Sequence, residues 1–237
     1  MKIRFSPLSA LLVMLSAASL PAATVFMDFG DSSQVTAGNY NNFTKGAVSV
    51  LSIADLVDST GSATGISGSV SGFHAGSNTS GATAPTGAAA LFDAQATRDN
   101  FFGSTGIFGT VTAPTGTVTF SGLDGSGATA YTFDFFASRT GVVDNREAEY
   151  SIAGIGAPVS VFLDASNNLS NTTSSTGIVP TLGGTITITV DPGPANTNTT
   201  GFFYLGAIRM TSVPEPAGAS LAALAGLTLL GQRRRKA

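Results

Sequence analysis

Residues Ala130 to Ser138 read Ala-Tyr-Thr-Phe-Asp-Phe-Phe-Ala-Ser. Side chains alternate along a strand, so Tyr131, Phe133 and Phe135 share one face while Thr132, Asp134 and Phe136 share the other. Aromatic rings on both faces predict a central strand with packing on each side of its sheet.

Short apolar alternations of the same kind recur between clusters of Gly, Ser, Thr and Asn, and helical periodicity is nearly absent. The predicted strands are Val25–Phe29, Ala47–Asp55, Gly65–Phe73, Gly116–Phe120, Ala130–Ser138, Ala148–Ile152, Val159–Asp164, Thr185–Val190 and Phe202–Met210. Ala88–Asp99 alone has the Ala-rich, unbranched composition of a short helix, and Gly72–Gly87 and Asn167–Gly177 read as loops. Many short strands separated by turn clusters predict an all-β fold, a single β-sandwich spanning residues 24–212. Neither an internal repeat nor a second domain is visible.

The two ends have a different character. At the N-terminus, Lys2 and Arg4 precede an apolar stretch from Leu8 to Ala18, with small residues Ala22 and Ala23 at a cleavage site. Residues 1–23 therefore read as a helical signal peptide handled by the general secretion machinery. Residues 213–237 read Val213-Pro214-Glu215-Pro216, then an apolar run from Ala217 to Leu230, then Arg233, Arg234, Arg235 and Lys236. The apolar run predicts a hydrophobic helix, shorter than the ~20 residues that cross a bilayer core comfortably. Its basic cluster would stay in the cytoplasm. Pro214 and Pro216 remove backbone donors and favour an extended, accessible peptide before that helix.

This tail resembles the PEP-CTERM sorting signal of Gram-negative bacteria, a family also called the ice-binding protein C-terminal domain. The resemblance covers about a tenth of the chain and implies an itinerary. An inner-membrane-anchored precursor is recognised by an exosortase-type membrane peptidase near Val213, Pro214, Glu215 and Pro216, then reaches the cell surface or the extracellular space.

Between Thr24 and Ser212 there are five basic and 13 acidic residues, a formal charge of −8. A nucleic-acid partner is not expected, because a phosphate backbone needs a basic surface. With no cysteine, the chain has neither disulfides nor thiolate metal sites.

Several constellations invite a chemical reading. Phe29-Gly30-Asp31-Ser32 after a strand resembles the nucleophile block of the GDSL esterases, yet the sole histidine, His74, is not in the position that family requires. Asp31-Ser32 reads more simply as a turn ending the first strand, and His74 as a solvated loop residue. Asp28, Asp31, Asp55, Asp58, Asp164 and Asp191 are oxygen donors for a structural calcium ion, without a spacing that assigns a metal site. Thr185, Thr187 and Thr189 line one side of a strand, a single row of the kind that ice-binding surfaces repeat.

Val118-Thr-Phe-Ser-Gly-Leu-Asp124 followed by Tyr131–Ala137 resembles a hairpin of malectin-like and galactose-binding-like domains. That resemblance implies a jelly-roll sandwich that binds carbohydrate through end loops or a concave face. The polar loop after the aromatic strand then supplies Arg139, Asn145 and Arg146 as hydrogen-bonding groups. Phe101, Phe102, Phe136 and Tyr204 are candidate apolar platforms. Arg146 has a structural alternative, an ion pair with Glu147 or Glu149.

The expected function is non-catalytic: a cell-surface or matrix protein binding exopolysaccharide, with no cofactor. The alternatives are a secreted lyase or glycosidase, for which no carboxylate pair stands out, and an ice-binding protein.

Overall fold

The computed structural model describes residues 22–214. The part of the expected signal peptide before Ala22, together with Glu215, Pro216, the apolar tail and Arg233, Arg234, Arg235 and Lys236, lies outside the described residues. Among the described residues, no helix is long and apolar enough to cross a membrane.

The chain is mostly strand, and its sheets pack as sandwich-like layers. One sheet has the order β12 (Thr173–Ile178), β9 (Thr129–Phe136), β15 (Ala207–Pro214), β1 (Thr24–Asp31) and β2 (Tyr40–Lys45). The facing sheet runs β11 (Val159–Asp164), β10 (Glu147–Ala153), β13 (Thr185–Pro192), β8 (Gly116–Ser121), β4 (Ser67–Ser71) and β3 (Ser52–Ile53). A third, smaller sheet joins β14 (Phe202–Leu205), β6 (Asn100–Phe108) and β5 (Ser77–Asn78), and β7 (Val111–Ala113) folds back on β6.

Strand β9 sits inside its sheet, as its two aromatic faces predict. Phe133 stacks on Phe120 of β8 with ring centroids 5.9 Å apart, and Phe135 on Tyr150 of β10 at 4.5 Å, so these rings join the two large sheets. On the opposite face of the same strand, Phe136 is buried beneath Phe92, 6.1 Å away. Phe92 belongs to a segment that crosses the outer face of the sheet. There the expected helix over Ala88–Asp99 is broken into a 3-10 turn (Gly87–Leu91) and α1 (Ala94–Thr97). Phe92 and Asp93 adopt extended backbone at the break, and Asp93 caps α1 by accepting from the Gln95 amide.

All pairs in the two large sheets are antiparallel except β1 with β2. The connection between those two, residues 32–39, returns across the outer face, where the Thr36 hydroxyl donates to Asp28 Oδ2 at 2.7 Å. Asp28 is thereby sealed beneath its own connecting loop.

Other expectations change. Most of Ala47–Asp55 is irregular, with only Ser52–Ile53 in a strand. Within Asn167–Gly177, read as loop, lies the start of β12, an edge strand whose Ser175 is buried against Phe133 of β9. The continuous strand expected over Phe202–Met210 is two strands in two sheets. Gly206 divides them: its amide donates to Phe136 O at 3.0 Å and its carbonyl accepts from Phe29 N at 2.8 Å. A Cβ there would approach Asn100 Oδ1 to 2.6 Å, so a side chain does not fit at this crossing.

Candidate functional site

The third sheet carries the site. Tyr204 of β14 pairs with Phe102 of β6, which sets both side chains on one face with ring centroids 6.4 Å apart. Two residues back along β14, Phe202 lies on that same face, 6.0 Å from Phe102 and 5.3 Å from Phe108. Phe203 and Leu205 point the other way into the main core. The alternation Phe-Phe-Tyr-Leu thus splits β14 between core and pocket.

Gly103 makes this pairing close enough. A Cβ at that position would meet the Phe203 ring at 2.1 Å and the Ala113 carbonyl oxygen at 2.6 Å, so β6, β7 and β14 can only come together around a glycine.

Two arginines reach the aromatic face from the connection between β9 and β10. The Arg139 backbone is fixed by donating to Ala165 O at 2.7 Å and accepting from Asn167 N at 2.9 Å, while its Nη1 donates to the Thr140 carbonyl. The Arg146 amide donates to Asp164 Oδ1 and Ser166 Oγ, and its Nε pairs with Asp144 Oδ1 at 3.1 Å. Its Nη1 donates to the Tyr204 hydroxyl, and the guanidinium stands 5.4 Å from the Phe202 ring centroid and 5.9 Å from that of Tyr204.

Together with Ser77 and Asn78 of β5, these residues line a pocket of about 310 Å³. Asn78 Nδ2 is buried there without a hydrogen-bond partner. Burial raises the Tyr204 hydroxyl's pKa, while the nearby Arg146 and Arg139 charges pull it back. Burial also works against the charge of Arg146, but Asp144 and Tyr204 outweigh it and its pKa lies above the ordinary value. The Asp144 carboxylate is held below its ordinary range, first by Asn198.

Of the ligand-binding residues expected from sequence, Arg139, Arg146 and Tyr204 converge on this pocket. Phe136 does not: it is 0% exposed, filling the layer beneath Phe92. Asn145 is not a lining residue but a turn former, its Oδ1 accepting from Glu147 N at 2.8 Å. Phe101 is core, whereas Phe102 lines the pocket. The ion-pair partner of Arg146 is Asp144 rather than Glu147 or Glu149. Sequence reasoning passed over Phe108, Phe202, Ser77 and Asn78, since nothing in the primary structure announces that β5, β6 and β14 share a sheet.

His74 is not the solvated residue expected. It is 5% exposed, lies between Phe102 and Phe108, and its Nε2 is 2.8 Å from Ser104 Oγ. Ser104 is buried too and its hydroxyl donates to the Gly106 carbonyl, so the pair is a core hydrogen bond without access for a substrate. Ser32 is elsewhere, its Oγ accepting from Val48 N.

The acids considered for calcium are spread out. Asp55 and Asp58 brace their own loops, Asp164 holds the Arg146 amide, and Asp191 accepts from Thr115 Oγ1 at 2.6 Å. No group of three or more His, Asp or Glu side chains suited to a metal ion occurs among the described residues. Ala23 and Ser212, near the two ends of the described residues, exchange hydrogen bonds, and Val213 and Pro214 are the last residues of β15, extended opposite Ala130 and Thr129.

No family model, curated protein or solved structure matches the chain.

Proposed function

We propose that this chain is an exported, non-catalytic surface or matrix protein that binds exopolysaccharide through the pocket on its third sheet. The observation that carries this reading is the pairing of apolar rings (Phe102, Phe108, Phe202) with the donors of Arg139, Arg146, Asn78 and Tyr204 in one opening of about 310 Å³. A sugar presents C–H faces and hydroxyls together, and such a pocket complements both. The lining has no carboxylate, and Asp144 behind it is committed to Arg146 and Asn198. The pocket therefore offers groups for holding a ligand rather than an acid–base pair.

The sorting part of the proposal rests on the two ends of the chain. In it, residues 1–23 direct export, and the PEP-CTERM tail holds the precursor in the inner membrane until an exosortase-type peptidase acts near Glu215 and Pro216. A jelly-roll winding is part of the same reading, supported by a chain that changes sheet between β8 and β9, β9 and β10, β11 and β12, and β12 and β13.

Incubating the full-length protein, held in detergent, with a glycan panel tests the function. Binding without product formation supports the proposal, and product formation moves the chain to the lyase or glycosidase class. Neither result leaves a structural matrix role and removes the binding claim.

Ice binding is a second reading with one observation in its favour. Thr185, Thr187 and Thr189 of β13 stand in register with Ser121, Thr119 and Thr117 of β8, which are in register with Ser67, Ser69 and Ser71 of β4. The hydroxyl rows repeat at roughly 4.8 Å across strands and about 6.7 Å along them. Absence of thermal hysteresis and unchanged ice-crystal shape would eliminate it.

A further inference from the structure

The geometry points to an acidic sugar as the pocket's ligand: a uronate residue whose carboxylate lies between Arg139 and Arg146 and whose ring packs on Phe202 and Phe102. This rests on the glycan-binding reading and narrows it to a charge class.

The first ground is the distribution of cations. Only five basic residues lie between Thr24 and Ser212, within a formal charge of −8. Arg209 is neutralised by Asp134 at 2.8 Å, and Lys45 is buried with its Nζ on the His74 carbonyl. Two of the remaining three, Arg139 and Arg146, line the same pocket. Their charges bear on one hydroxyl, that of Tyr204, itself only 3% exposed.

The second ground is the imbalance of counter-charge. Asp144 compensates Arg146, and Arg139 has no ion-pair partner among the described residues. Asp164 and Asp31 stand behind the lining, on the Arg146 amide and the Ser77 hydroxyl, so the surface that faces the opening presents two guanidinium groups against apolar rings and no carboxylate. An anion entering there supplies the missing charge in a setting less screened than open water.

The third ground is the excess of donors. Arginine offers only N–H groups, and Asn78 Nδ2 is a buried donor with no acceptor. The Asn78 Oδ1 is used by the Ser80 amide, and the Ser77 hydroxyl proton goes to Asp31. The Tyr204 oxygen already accepts from Arg146, so its own proton is another donor. A ligand rich in acceptors satisfies such a set, and an ionised carboxylate accepts without donating. The rings of Phe202 and Phe102 then require an apolar face attached to that anion, which a uronate pyranose has and a bare inorganic anion lacks.

The test uses the full-length protein in detergent, titrated calorimetrically with tri-galacturonate, its methyl ester, and a neutral galactose trisaccharide. Methyl esterification removes the charge while keeping the ring and hydroxyls. The expected result is at least about tenfold tighter binding of the acid than of the ester, with the preference declining as salt rises. Arg139→Gln should abolish the preference, and it is a sound probe because that side chain's hydrogen bond within the domain is to the adjacent Thr140 carbonyl. Asn78→Ala, which removes an amide that bonds only the local Ser80 backbone, should weaken the acid several-fold and give a second readout.

Equal affinity for acid and ester, or an acid preference that survives Arg139→Gln, overturns the charge assignment while leaving glycan binding intact. Binding of the neutral sugar alone does the same. Failure of all three sugars together with every member of the wider glycan panel overturns both readings.

Discussion

Replacing Asp28 with asparagine should change how stability depends on pH. Asp28 is 2% exposed beneath the loop of residues 32–39, with Oδ2 receiving Thr36 and Oδ1 receiving nothing. Burial, and then the nearby charge of Asp99, push its carboxyl from 3.8 up to about 7. Asp99 is itself buried, has an unpartnered Oδ1, and is raised to about 6, again mainly by burial. Arg98 opposes both shifts.

A carboxyl whose folded pKa is raised binds a proton in the native state that the unfolded chain has released. Stability therefore falls as pH rises between about 4 and about 7, and the penalty is complete above that range. At 1.36 kcal/mol per pH unit, the gap from 3.8 to about 7 is worth about 4 kcal/mol. A carboxamide in place of the carboxylate would keep an oxygen for Thr36 and carry no charge. Asp28→Asn should therefore be more stable than wild type at pH 8 and should lose most of that advantage near pH 4. The assay is urea unfolding at a series of pH values, read as the difference between the two proteins. That difference removes the contribution of His74, whose pKa burial lowers and whose effect runs the opposite way. Parallel stability curves for the two proteins across this range would mean that the Asp28 carboxyl is not what sets this pH dependence.

Lys45 gives a related outcome at higher pH. Burial lowers its pKa to about 8, so wild-type stability should rise between about pH 8 and 10.5. Lys45→Met should remove that rise and add about 1 kcal/mol at pH 7, after allowing for the lost bond to the His74 carbonyl and the lost cation–π contacts with Phe101 and Phe73. Gly103→Ala, which forces a methyl group into the Phe203 ring and the Ala113 carbonyl, should cost about 3 kcal/mol in urea unfolding. Tyr150→Phe removes a buried 2.8 Å bond to the Tyr204 carbonyl and should cost about 1–2 kcal/mol by the same measurement.

The sandwich was legible wherever apolar side chains alternate strictly. Ile186, Ile188 and Val190 are fully buried and the intervening threonines half-exposed, as period-two reading requires. Strands that lack this pattern escaped it. Asn100–Phe108 holds glycines where neighbouring backbone and rings come too close for a side chain, and Tyr40–Lys45 buries asparagine, threonine and lysine through hydrogen bonds and loop cover. Polar residues buried by tertiary contacts look like loop residues in a linear chain.

The same limit applies to the site. Arg139 and Arg146 are legible as candidates because they follow the clearest strand, and Tyr204 as an aromatic platform within a predicted strand. Phe136 reads as a platform for the same reason, yet an aromatic on the second face of a central strand is core when another layer covers that face. Asn78 and Phe108 became site residues only through pairing across long sequence separations.

Hydrogen–deuterium exchange of the full-length protein with and without bound acidic oligosaccharide tests the binding claim most directly. Slowed exchange is expected in Phe202–Leu205, in the Arg139–Arg146 connection and at Ser77–Asn78, with no change on β4, β8 and β13. Protection confined to those three strands, or no protection at the pocket under saturating ligand, would contradict the binding claim.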